Sequence, residues 1–173
     1  DIDSDSVEEA AQNFSDSPWS TRLRAVHTSL ADFATGSDKT YDLVVSNPPF
    51  FQNSMLSANE KLSMAKHNVK LSLDDFFRDS VRLMKSTGRL CVILPVQEGR
   101  MVLMNAEKYG LFLHQKLTII PKEGKPANRV ILEMSKQDRA EVYFERIVLR
   151  DSSGNFSEEY KNLTYEFHPS GYF

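Results

Sequence analysis

A single cysteine in 173 residues, Cys91, excludes a disulfide framework. Because it lies within Leu90-Cys91-Val92-Ile93-Leu94, it reads as a buried thiol in a reducing, cytoplasmic compartment. No apolar run approaches the roughly 20 residues of a membrane-spanning helix, and no charged-then-apolar leader pattern is present. Histidine and cysteine are too sparse and scattered for a metal cluster, so no metal is expected. Basic residues are not in excess either: the formal charge is −3, which excludes a chain coated for nucleic acid and leaves only a local basic patch for such a contact. There is no internal repeat and no low-complexity segment. What remains is ordinary globular composition, 40% apolar and 26% charged, in a length that suits one domain, residues 1–173.

The most informative stretch is Ser46-Asn47-Pro48-Pro49-Phe50-Phe51, which closes the apolar run Tyr41 to Val45 and opens a polar segment. It reads as a loop at the carboxyl end of a strand. A residue before proline is pushed to extended geometry, and proline fixes its own φ and lacks an N–H, so Asn47 and Pro48 are held straight with acceptors exposed. The Asn47 side-chain oxygen and the Pro48 carbonyl then suit the two hydrogens of one planar amine, and Phe50 offers a ring face on which a flat base or amide can stack. An aniline-like or amide nitrogen is a poor nucleophile because its lone pair is delocalised. Accepting both hydrogens favours the pyramidal form, whose lone pair can attack a methyl donor in line. The four-residue pattern resembles the catalytic loop of amino-methyltransferases that use S-adenosylmethionine.

Along the chain, Asp1-Ile2-Asp3 reads as the end of a strand, followed by an acidic turn and an amphipathic helix ending near Asn13 to Ser17. A carboxylate at the end of a strand can hold two ribose hydroxyls, which makes Asp1 a cofactor candidate; helix capping would explain Asp3 and Asp5 equally well. Leu23 to His27 reads as a short strand, Asp32 as a loop acid that either reaches a cofactor adenine or is merely exposed, and Ala34 to Thr40 as a turn cluster. Gln52 to Val69, with Lys61, Lys66 and His67, reads as a lid or recognition loop in which His67 is more readily a surface or packing residue than a base. Ser72 with Asp75 opens a helix that runs to Lys85, and Thr87-Gly88 ends it. Arg89 to Leu94 is a buried strand, and Gln97 to Tyr109 a helix capped by Gly110.

Two β patterns, Leu111 to Ile120 and Arg129 to Met134, flank a short basic link and make a hairpin. Lys116, Lys122, Lys125 and Arg129 lie on or near it; together with Phe51, Lys122, Lys125 and Arg129 are the candidates for RNA contact, although basic hairpins are commonly just solvated. Glu141 to Leu149 reads as a further strand. Ser157 to Phe167 reads as a terminal helix burying Tyr160, Leu163 and Phe167.

The order of parts and several local strings are similar to one family. The strings are Ser17-Pro18-Trp19 with Arg22, Val26-His27-Thr28, Tyr41 through Phe51, Leu94-Pro95, Asn128-Arg129-Val130, and Ser157-Glu158-Glu159-Tyr160 with Leu163-Thr164. From Asp1 to about Phe167 the chain resembles the bacterial tRNA1(Val) adenine-37 N6-methyltransferases. The resemblance implies a Rossmann-like class I methyltransferase fold, a three-layer α/β/α sheet ending in an antiparallel hairpin. It implies S-adenosylmethionine as cofactor, with Asp1 at its ribose and Asn47 beside it, and tRNA as partner; Asp32 stays a candidate for the cofactor adenine. It also implies that Asn47 and Pro48 hold the adenine amino group while Phe50 stacks on the base. The family's first strand and glycine-rich loop would precede Asp1, so the domain is expected to be incomplete at that end and inactive alone. A gap, a rearranged edge or a strand borrowed from another copy is then expected in the sheet beside the strand ending at Ser46. An amino-methyltransferase for protein glutamine or DNA adenine, and a non-catalytic RNA-binding remnant, remain as alternative readings.

Overall fold

A computed structural model describes residues 1–48, 71–169 and 172. Phe50, Phe51, Lys61, Lys66 and His67 lie outside the described residues. Helices α1 (Ser4–Ser15), α2 (Leu30–Gly36), α3 (Leu73–Leu83), α4 (Val96–Asn105) and α5 (Glu158–Thr164) alternate with strands β1 (Tyr41–Ser46), β2 (Met84–Pro95), β3 (Phe112–Ile120), β4 (Arg129–Ser135) and β5 (Tyr143–Val148). The strands form one sheet in the order β1-β2-β4-β3-β5.

β1 and β2 are parallel, with Ser46 opposite Val92, and α3 makes the crossover between them. β3 and β4 are the expected antiparallel hairpin, and β4 inserts antiparallel between β2 and β3 with Pro95 opposite Arg129. Alternation along β2 and β4 buries Leu90, Val92, Leu94, Val130, Leu132 and Met134 on one face, where Phe76 and Phe77 of α3 and Val102 of α4 close the core. Phe77 is fully buried and stacks on Tyr109, with ring centroids 5.3 Å apart. Each such side chain contributes about 1.5–3 kcal/mol by leaving water. On β1, Leu43 and Val45 point away from this core and are exposed, Val45 by 69%. β1 is the edge of the sheet among the described residues.

One capping device recurs. Ser29, Ser72 and Ser157 each accept the backbone N–H three residues on, at 3.0 to 3.1 Å, and so open α2, α3 and α5. In α2 and α3 the serine hydroxyl also donates to the side chain of that later residue, Asp32 or Asp75. Asp32 is therefore in the first turn of a helix, not in a loop, and α2 runs on through Gly36 where a turn was expected.

Further differences have local causes. Leu23 to His27 forms no strand: Asp1 donates to Val26 and accepts from Thr28, and these two backbone bonds are too few for a ladder. α3 ends at Leu83 and β2 begins at Met84, because the register skips between Tyr41–Met84 and Leu43–Arg89 and Gly88 sits in that irregularity. A Cβ on Gly88 would stand 2.7 Å from the Tyr41 carbonyl oxygen, so the bulge needs glycine there. Leu163 and Phe167 are exposed, not buried, because the seven-residue α5 rests on the edge strand β5 and packs chiefly through Tyr160 against Phe156, at 5.1 Å.

The turn before β3 is tied to α3 through Asp74, which accepts from the Tyr109 hydroxyl and pairs with Lys108 at 2.6 Å. Burial, and then the Asp74 carboxylate, push the Tyr109 phenol up from 10 to about 12. A raised phenol keeps its proton in the folded state after the unfolded chain has lost it. The stabilisation is thus complete below pH 10 and is lost as pH rises from 10 through about 12. Thermal melting should show a fall in that window that Tyr109→Phe largely removes; an identical alkaline fall in the variant would assign it elsewhere.

Candidate functional site

The sheet's topology gathers Asn47, Lys122, Lys125 and Arg129 at one edge. β1, β2, β3 and β5 run parallel to one another and end there, and β4 starts there. In open α/β sheets the crevice outside the carboxyl ends of the strands is where ligands bind. Asn47 leaves β1 at this edge and is exposed, whereas Pro48 is buried and so anchors the segment that carries it. β2 leaves at Leu94-Pro95, and Pro95 serves as the N-cap of α4.

Why β1 delivers Asn47 here follows from its two ends. At the start, Lys85 of β2 bonds both carboxylate oxygens of Asp42, at 2.8 and 2.9 Å, and this bonding holds the Asp42 carboxyl below its usual range. At the finish, Val44 packs on the core while Ser46 pairs with Val92, which aligns the exit of β1 with that of β2.

Asp1 lies outside the sheet, tied by backbone to Val26 and Thr28. Its Oδ1 accepts the Asp3 N–H at 2.9 Å, and among the described residues no hydrogen bond engages Oδ2. Asp3 is the cap of α1, taking the Ser6 N–H and hydroxyl at 2.9 and 2.6 Å. The acidic turn thus divides its work, with capping falling to Asp3 and a free acceptor oxygen left on Asp1. Asp32 likewise spends Oδ2 on Ser29 and retains Oδ1.

Lys122 and Lys125 lie in the β3–β4 turn and Arg129 at the start of β4, all at the edge that carries Asn47. Lys116 does not join them: it is mid-strand, opposite Leu132 and Phe144. Cys91 is half-buried, not buried, because β2 turns it to the face opposite the core. Its thiol points at Glu133 Oε2, 3.8 Å away, and burial first and that carboxylate second push it up from its ordinary value. Glu98, in the first turn of α4, is 5% exposed with no hydrogen bond to Oε2, a feature sequence reading passed over. An acid in a helix's first turn looks like an ordinary complement to the helix dipole, and burial by a neighbouring sheet leaves no local signal.

Comparison with known proteins places these features in context. The model of the Eco57I restriction-modification methylases matches residues 1–120. A tRNA1(Val) (adenine(37)-N6)-methyltransferase of Pectobacterium carotovorum is 29% identical over 168 residues, which cover 97% of this chain and 67% of the relative. The protein of the same name from Parabacteroides distasonis is 30% identical, covering 97% of this chain and 71% of the relative. Among solved structures, a predicted O-methyltransferase from Agrobacterium tumefaciens superposes with a TM-score of 0.68 at 17% identity, over 95% of this chain and 74% of that one, a likeness of fold.

Proposed function

The chain belongs to the Eco57I methylase family and, within it, to the tRNA1(Val) (adenine(37)-N6)-methyltransferases, and from that premise we propose that it transfers a methyl group from S-adenosylmethionine to N6 of adenine 37 in the anticodon loop of tRNA1(Val). The observation that carries this reading is the placement of Asn47-Pro48 at the carboxyl edge of the parallel β1–β2 pair, beside Leu94-Pro95. Asn47 and Pro48 accept the two amine hydrogens, and Phe50 stacks on the base. Loop adenines suit such a site, because an unpaired base enters the pocket at a cost of a few kcal/mol or less. No strong base is needed: the nitrogen's proton becomes acidic only after the methyl has moved.

Two of the residues present suit the cofactor: no donor among the described residues engages the second carboxylate oxygen of Asp1 or of Asp32, which suits a ribose hydroxyl and an adenine amine respectively. When bound, S-adenosylmethionine supplies a methyl group on a sulfonium that leaves as a neutral thioether. The chain's own share is to orient the amine and draw its lone pair out of conjugation.

No helix among the described residues is long and apolar enough to cross a membrane, and the unpaired Cys91 supports a cytoplasmic setting. A protein-glutamine or DNA substrate, or a non-catalytic remnant, has no comparable support. The test supplies the full-length protein with labelled cofactor and, separately, tRNA1(Val) transcript, duplex DNA and a glutamine peptide. Label on tRNA at N6 of adenine is expected. Label on DNA or peptide but not on tRNA would overturn the substrate.

A further inference from the structure

Three cations near the amino ends of the parallel strands sit on carboxylates, Lys85 on Asp42 at 2.8 Å, Arg89 on Glu133 at 3.3 Å and Lys108 on Asp74 at 2.6 Å, while Lys136 there donates to the Met84 carbonyl at 2.7 Å. At the carboxyl edge, Lys122, Lys125, Arg129 and Arg150 have no carboxylate partner among the described residues. Of the acids at that edge, Glu123 accepts the Ser152 N–H at 3.1 Å, Asp151 the Asn155 N–H at 2.9 Å, and Glu158 pairs with Lys161 at 2.6 Å.

These cations are also fixed in place. The turn between β3 and β4 is closed by Asn128 N–H to Ile119 and Lys125 N–H to Lys122, and is joined to the next strand by Glu123 N–H to Arg150. Gly124 supplies the left-handed conformation, φ +75°, that the turn requires. The Arg150 guanidinium lies 4.0 Å from the Phe156 ring centre and donates to the Gly154 carbonyl. A chain of net charge −3 that nevertheless holds four unpaired cations on ordered backbone at one edge is built for an extended anion.

We infer that this edge is the track for the phosphate backbone of the RNA, with Arg129 nearest the target nucleotide and Lys122 and Lys125 on the phosphates beyond it. β4 is two strand positions from β1, about 10 Å at ~4.8 Å per strand, so Arg129 stands within a nucleotide or two of the loop that holds the base. The inference rests on the proposed tRNA substrate and goes beyond it in naming the surface and its polarity: the RNA runs from β1 toward β5, and the opposite edge stays free.

The test measures, on the full-length protein and its variants, binding of tRNA1(Val) transcript against KCl concentration, alongside methyl transfer. Each phosphate contact contributes about 0.7–0.9 to the slope of log K against log salt, so Lys122→Ala/Lys125→Ala/Arg129→Ala should make the slope shallower by about 2 to 3. The control, Lys85→Ala/Lys108→Ala, removes two charges at the other edge and should leave the slope unchanged. A triple variant with the wild-type slope, or a control that falls as far per charge removed, would overturn the track. Wild-type binding without methyl transfer would instead count against the functional reading, so the two failures are told apart.

Discussion

Asn47→Ala should lower methyl transfer to tRNA by roughly two orders of magnitude or more while changing tRNA affinity little. The reason is differential: in the proposed role, the side-chain oxygen of Asn47 matters most as the amine nitrogen pyramidalises, so its loss raises the barrier more than it weakens the ground-state complex. Asn47 is exposed and follows a strand held by its own register, so its truncation should leave the melting temperature nearly unchanged. Phe50→Ala should differ in kind. It removes a stacking surface worth about 1–3 kcal/mol, so productive binding of the base should weaken along with turnover. Single-turnover rates at saturating tRNA, set beside filter-binding affinities, separate the two. Full activity in Asn47→Ala would sink the mechanism, and equal losses of affinity in both variants would show that Asn47 serves binding alone.

What was legible in the sequence, and what was not, divides by the range of the forces involved. The Asn47 loop, the α3 cap at Ser72 and the β3–β4 hairpin were readable because proline geometry, capping serines and alternation act over a few residues. α2 escaped because its seven residues end in Gly36 and Ser37, which imitate a turn, although Ser29 and Asp32 carried the same signature as Ser72 and Asp75. Leu23 to His27 looked like a strand on composition alone, but a strand exists only with neighbours, and the described pairing there is limited to Asp1. The start of β2 at Met84 was hidden because Thr87-Gly88 reads as a stop, whereas the sheet uses Gly88 for a bulge. Which cations are neutralised was beyond sequence reading altogether: Asp42 and Lys85 are 43 residues apart, and only the fold brings them together.

Gly99 illustrates the same limit with the largest expected effect on stability. It lies in the second turn of α4, where sequence alone marks it only as a weak helix former. In the fold, a Cβ at this position would lie 2.3 Å from Cγ2 of Val130, a side chain 2% exposed at the centre of β4 packing. Helix and strand therefore touch backbone to side chain, and Gly99 sets how near α4 comes to the sheet. Two effects oppose each other in Gly99→Ala. Alanine gains up to about 1 kcal/mol in helix propensity, whereas overpacking a tight core costs typically 1–3 kcal/mol. Since Val130 is hemmed in by the core and cannot swing away, the clash should win, and Gly99→Val should be worse. Val130 follows Arg129 directly, so displacing β4 also moves that guanidinium and Pro95, the strand partner of Arg129, at the functional edge. Urea unfolding should show Gly99→Ala destabilised by about 1–2 kcal/mol net, with Val130→Ala destabilised on its own by loss of buried methyls. The double variant should recover part of the sum, because the removed Cγ2 is the atom the new Cβ meets. Strict additivity of the two losses would mean that Gly99 and Val130 do not meet as the fold places them.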